Sequence, residues 1–160
     1  MEDKLLAFKA AIAAFFTAAS AFLGWQGVLF VLWVIVMAVD YLSGSLAAWL
    51  TGEWSSAVAR DGARHKLGML FVVIVAGITD ITLATVCQYF ALGFEWPVLA
   101  LALVFAWYIL TELGSILENA VKLGAPIPEW LVKILTGGLK IINSKGDGLT
   151  GDPLDEVNNE

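Results

Sequence analysis

The stretch GVLFVLWVIVMAVDYLSGSLAAWL, residues 27–50, decides the fold of this chain. A helix rising ~1.5 Å per residue crosses the ~30 Å hydrocarbon core of a bilayer in about 20 residues, which this stretch provides. Its one charged residue is Asp40. An ionised carboxylate at the bilayer centre costs at least ~2.5 kcal/mol of insertion free energy. We therefore expect Asp40 to face protein or water rather than lipid, or to be protonated.

Two further apolar segments, residues 66–90 and 96–123, repeat this pattern with one acid in the middle of each, Asp80 and Glu112. From the helical rise, Asp40 lies ~15 Å from Leu50, and Glu112 lies about as far from Lys122. Asp40 and Glu112 are therefore predicted to lie at nearly one level. Two roles remain open for the acids, since they can be neutral groups bonded between helices or groups that border a pore.

The composition describes an integral membrane protein of one domain. Of 160 residues, 59% are hydrophobic and 15% are charged, against roughly 25% charged in soluble proteins. With one histidine and one cysteine, Cys87, we expect no metal site, no cofactor and no enzymatic activity. The net charge of −6 comes mostly from the C-terminal end, and no nucleic-acid partner is expected.

The two ends of the chain differ from the middle. Residues 5–23 are rich in alanine and form a predicted first helix that either crosses the membrane or lies in its interface. Residues 19–21, Ala-Ser-Ala, also allow a signal-peptide cleavage site. Residues 127–142 have an apolar and a charged face, which predicts an amphipathic helix on the inner leaflet. Residues 144–160 are predicted to be a disordered acidic tail. The predicted fold is thus an all-α bundle of three or four transmembrane helices with a C-terminal interfacial helix.

A basic segment, residues 53–66, separates the first two strong spans. It contains Arg60, Arg64 and Lys66, and short loops rich in Lys and Arg stay in the cytoplasm. This segment and the C-terminus are predicted to be cytoplasmic, with the basic side chains on lipid headgroups. In the alternative, Arg64 or Lys66 forms an ion pair with a membrane carboxylate.

Each span has one face of polar and small residues, which favours close helix packing and hydrogen bonds between helices. Three or four helices cannot cover all of these faces well, so we expect the protein to form a homo-oligomer. The residues predicted to face subunit contacts or a lumen are Asp40, Ser43, Gly44, Asp80, Glu112, Ser115 and Asn119.

Three stretches resemble the toxin-secretion/phage-lysis holin family. They are Asp-Tyr-Leu-Ser-Gly at residues 40–44, the loop from Ser55-Ser56 to Gly62-x-x-x-Lys66, and YILTELGSILENAVKLGAPIPEW at residues 108–130. The resemblance covers about residues 24–135 and implies a holin-type transmembrane domain over residues 1–143. It also implies a protein that oligomerises in the bacterial cytoplasmic membrane, among membrane lipids, and opens lesions for a phage endolysin or a secreted toxin. The alternatives are a small proton- or cation-conducting channel or transporter subunit, and a membrane adaptor.

Overall fold

The structure is a computed structural model that describes residues 24–91, 93, 96, 97 and 99–149, together with residues 6, 7, 9, 10, 13, 14, 17 and 18. Four helices have defined bounds within the described residues: α1 Trp25–Leu50, α2 Ser56–Tyr89, α3 Ala100–Lys122 and α4 Glu129–Leu149. The first three are long and apolar enough to cross a membrane. The predicted all-α fold with three strong spans is confirmed. The predicted helix over residues 5–23 lies mostly outside the described residues. Whether it crosses the membrane or lies in the interface therefore stays a prediction.

Helix α2 begins earlier than predicted. A separate short helix is predicted from Ser56 to Lys66, but these residues belong to the second span, because α2 runs without interruption from Ser56 to Tyr89. Ser55 caps its start by accepting a hydrogen bond from the Val58 backbone N–H at 3.2 Å, a favourable N-cap arrangement. Since the helix begins there, Arg60, Arg64 and Lys66 lie on its first three turns.

Helix α4 ends later than predicted. The amphipathic pattern ends near residue 142, yet the helix continues to Leu149. Residues 144–149 are therefore helical, although the sequence pattern assigned them to a disordered tail. This end is helical despite the poor helix propensity of Gly146 and Gly148, and Gly146 and Asp147 line a cavity with residues of α3. The rest of the predicted tail lies outside the described residues.

The core lies among the three spans. Trp33 of α1 is 1% exposed and packs against Phe105 of α3, with ring centroids 5.5 Å apart, and against Tyr108 at 6.3 Å. Met69 and Val73 of α2 complete this buried cluster. The outward surface of the bundle is apolar instead, which suits contact with acyl chains. Its large exposed side chains include Leu32, Ile35, Leu42 and Leu46 of α1 and Phe71, Val75, Ile78 and Ile81 of α2.

Helix α4 packs lengthwise against α3 and runs antiparallel to it. Leu135 is buried, and a Cβ at Gly138 would lie 2.9 Å from Leu110 Cδ1. Farther along α4, Ile142 and Gly146 line one cavity with Leu103 and other residues near the start of α3. As docked, α4 therefore lies beside the third span over most of its length, rather than across the end of the bundle.

Candidate functional site

A buried charge cluster joins the three spans. Lys66 of α2 donates from Nζ to Asp40 Oδ2 of α1 at 2.8 Å and also contacts Glu112 Oε2 of α3. The three side chains are 17%, 14% and 4% exposed, respectively. Asp40 and Glu112 therefore lie at one level, as the helical rise predicted. The sequence predicts that Lys66 contacts lipid headgroups, but its side chain points into the bundle. It forms the ion pair with membrane carboxylates that was the alternative prediction.

Polar groups of α1 and α3 extend this cluster. Asn119 donates from Nδ2 to Asp40 Oδ1 at 3.3 Å and to Ser43 Oγ at 3.1 Å. Ser43 Oγ in turn donates to the Asp40 carbonyl oxygen at 3.0 Å. A Cβ at Gly44 would lie 3.3 Å from Asn119 Nδ2, so the absence of a side chain there lets α1 and α3 approach closely. Two carboxyl groups thus share one ammonium, and Asp40 also accepts from a carboxamide, in a low-dielectric interior where such hydrogen bonds are strong.

Asp80 forms a separate polar centre at the start of α3. It is 1% exposed, and it accepts hydrogen bonds from Trp96 Nε1 at 2.9 Å and from the backbone N–H groups of Ala100 and Leu101 at 3.1 and 2.8 Å. The N-cap residue of α3, Leu99, provides no side-chain cap. A carboxylate of α2 therefore caps α3, at the end where the helix dipole favours negative charge.

The remaining predicted residues lie at the edges of the cluster. Ser115 lines the cavities beside it, whereas Arg60 is exposed. Arg64 pairs with Asp61 on the surface at 3.0 Å. The sequence interpretation missed Trp96 as a partner of Asp80, because its position also fits an interfacial aromatic residue. No spacing rule connects these two residues across the loop between α2 and α3.

Several cavities border the charge cluster, and two of them have Asp40 in their walls. One of about 190 Å³ lies between α1 and the first turns of α2, and includes Tyr41 and Trp54 in its wall. The other, of about 660 Å³, lies between α3 and α4 and has Asp40 and Glu112 in its wall. Among the described residues, no cluster of three or more His, Cys, Asp or Glu side chains could hold a metal ion. The larger cavity has room for water beside two carboxyl groups, and the part of the cluster that the structure describes contains no nucleophile paired with a base.

Comparison with known proteins relates this chain to a family of membrane proteins. The sequence pattern of the bacteriophage holin family matches residues 17–137, which include all three spans, the charge cluster and the first part of α4. No solved structure matches the chain.

Several curated bacterial proteins are also similar to this chain. An uncharacterized protein of Halalkalibacterium halodurans is 32% identical over 138 residues, which are 84% of this chain and 96% of that protein. An uncharacterized protein of Listeria monocytogenes is 33% identical over 102 residues, 64% of this chain and 65% of that protein. An uncharacterized 14.9 kDa protein of Clostridium perfringens is 31% identical over 112 residues, 70% of this chain and 74% of that protein.

Proposed function

Because this chain belongs to the bacteriophage holin family, we propose that it oligomerises in the bacterial cytoplasmic membrane and opens lesions that release an endolysin or a secreted toxin. The observation that carries the proposal is the extent of the family match, which covers all three spans. The family consists of non-enzymatic membrane proteins, in agreement with the prediction from composition. Three spanning helices make the chain a multi-pass membrane protein.

The charge cluster supports a first stage in which single chains accumulate in the membrane. Asp40, Glu112 and Asp80 all find partners within one chain, so a protomer does not expose an unpaired carboxylate to lipid. The spans are apolar on the outside, as a protein stored in a bilayer requires. Assembly is then a later step that does not have to satisfy these acids.

The seven predicted contact or lumen residues stay a prediction, and the geometry supports it unequally. Asp40, Glu112 and Ser115 border the larger cavity, which is consistent with contact with water. Asp80, by contrast, accepts hydrogen bonds from the backbone at the start of α3 and does not border this cavity. Ser43, Gly44 and Asn119 hold α1 against α3, so they can reach a lumen only if these helices separate.

Controlled expression in a bacterium tests the proposal. We expect a delay with normal growth and then an abrupt loss of membrane potential, measured with a potential-sensitive dye, followed by lysis when an endolysin is co-expressed. An unrelated three-span membrane protein expressed to the same level is the control. Growth and membrane potential that match this control throughout induction would exclude a holin activity.

A small proton- or cation-conducting channel is the second candidate, favoured by the position of Asp40 and Glu112 on a cavity of about 660 Å³. Vesicles that contain the purified chain separate the two functions. A channel dissipates a proton or potassium gradient and retains a trapped dye, whereas a holin lesion releases both. In cells, Asp40→Asn is expected to shift the onset of killing without a change in the amount of inserted protein, and an unchanged onset contradicts this role for Asp40.

A further inference from the structure

Two neighbouring cavities follow α3 from the inner half towards its start, and we call them together the crevice. Its first part is the cavity of about 660 Å³, with Glu112 and Asp40 in its wall, His65 of α2 on one side and Thr136 of α4 on the other. Its second part is a cavity of about 490 Å³ farther along α3. Helix α3 forms the floor in both parts, and residues of α2 and α4 form the two sides.

The walls of the second cavity are partly polar. Asn143 and Asp147 of α4 lie there opposite Val72 of α2. Tyr108 and Trp107 belong to the floor. Together with the carboxyl groups of the first cavity, these side chains give each of the two cavities hydrogen-bonding groups, which a cavity needs to hold water.

Helix α4 has three distinct faces. Leu131, Leu135, Gly138 and Ile142 face α3 and are buried or half-buried. A second face is apolar and exposed, with Trp130 at 61%, Ile134 at 60% and Ile141 at 64%. The third face is polar and extends over the length of the helix. Three of its residues, Thr136, Asn143 and Asp147, line the crevice. Its exposed residues are Glu129, Lys133, Thr136, Lys140, Asn143, Ser144 and Asp147.

This polar face lies beside the third span, where lipid is an unfavourable neighbour for charged groups. Lys140 lies between Gly138, which touches Leu110 near the middle of α3, and Ile142, which lies near Trp107. Charged side chains at such depth face a bundle interior or water. Within the described part of the chain, the other helices have apolar surfaces over most of their spans, and α4 alone carries charged residues from one end to the other.

We propose that the crevice between α2 and α4 is the wall of the aqueous path through the assembled protein, with the polar face of α4 towards water and a second copy closing the open side. The proposal rests on the lesion-forming function proposed above. In this arrangement α4 stays packed against α3 while the path is open. Its apolar face, with Trp130, Ile134 and Ile141, lies against lipid or a neighbouring copy. The end of α4 then lies near the start of α3, on the opposite side from the predicted cytoplasmic C-terminus.

A matched pair of cysteine variants tests which face of α4 borders the path. In full-length protein with Cys87→Ala, Asn143→Cys places a thiol on the polar face, and Ile141→Cys places one at almost the same depth on the apolar face. Each is reconstituted in vesicles with a trapped dye and treated with a sulfonated, membrane-impermeant thiol reagent. A thiol reacts as the thiolate, which forms in water, so we expect labelling about tenfold faster at residue 143. Labelling there should slow dye release about threefold or more, because it adds bulk and charge to the path.

A disulfide clamp tests whether α4 acts in the docked position. Leu110→Cys combined with Gly138→Cys joins α4 to α3, and the loss of the leucine side chain makes room for the new Cβ at residue 138. We expect dye release to stay within about twofold of the reduced form after oxidation. The two single-cysteine variants, oxidised in parallel, are the controls.

The outcomes separate this inference from the function on which it rests. The lesion-forming function is excluded if neither the wild-type chain nor the Cys87→Ala parent releases dye from vesicles and the wild-type chain does not depolarise cells. If the parent releases dye but labelled Asn143→Cys releases it as fast as before, or labelled Ile141→Cys slows equally, the polar face of α4 does not line the path. If oxidation of the clamp stops release and a reductant restores it, α4 must leave α3 to act, and the inference is wrong.

Discussion

Replacement of Lys66 by methionine should reveal how much the buried charge cluster contributes to the stability of the bundle. Lys66 Nζ lies 2.8 Å from Asp40 Oδ2 and also contacts Glu112. Methionine keeps most of the aliphatic volume but removes the only ammonium that these carboxyl groups contact among the described residues. Breaking a buried ion pair by removing one partner costs about 3–5 kcal/mol, because the other charge stays buried without compensation. We expect Lys66→Met to lower the free energy of unfolding by this amount.

Arg64→Met is the matched control, since it removes a neighbouring cation of the same helix. Arg64 pairs with Asp61 at 3.0 Å, but the two side chains are 75% and 71% exposed. Exposed pairs contribute about 0–1 kcal/mol. Both variants can be unfolded reversibly with a denaturing detergent in mixed micelles, with the tryptophan fluorescence as the signal. Their difference should be about 2 kcal/mol or more.

A third variant separates charge from packing. In Lys66→Met combined with Asp40→Asn and Glu112→Gln, no charge remains in the cluster, so most of the lost stability should return. The reasoning is refuted if Lys66→Met destabilises the protein no more than Arg64→Met. It is also refuted if the triple variant is no more stable than Lys66→Met alone, because packing would then account for the loss.

Three further substitutions test other contacts. Asp80→Asn should lower stability by about 1–3 kcal/mol, since an amide has one acceptor oxygen for the start of α3, and hydrogen exchange of the first-turn amides should accelerate; unchanged exchange would contradict the cap. Gly44→Leu should cost about 1–3 kcal/mol in the same unfolding experiment by overpacking against Asn119, whereas Gly44→Ala should be milder. Gly138→Leu should displace α4 from Leu110 and accelerate hydrogen exchange in α4, and Leu110→Ala in the same chain should restore protection. Equal exchange in the wild type, the single variant and the double variant would argue against this docking.

Much of the charge cluster was predictable from residue type and spacing. Ten residues separate Asp40 from Leu50 and Glu112 from Lys122, and the constant helical rise therefore places both acids at one level. The small and polar face of the first span likewise indicated Ser43 and Gly44 as packing residues. The partner of the acids was harder to identify, because Arg64 and Lys66 lie two positions apart and only the rotation of α2 selects between them.

The sequence by itself determined the all-helical class, the three spans and the positions of the acids, because the length of apolar runs and the helical period depend only on local order along the chain. The tertiary structure decided which groups those acids meet. Lys66 turns inward because α2 begins at Ser56 and continues past it, and Asp80 caps α3 because the two helices meet antiparallel at that end. It also decided that α4 lies along α3, because that contact depends on how Gly138 fits Leu110, a match of shapes between residues far apart in the chain.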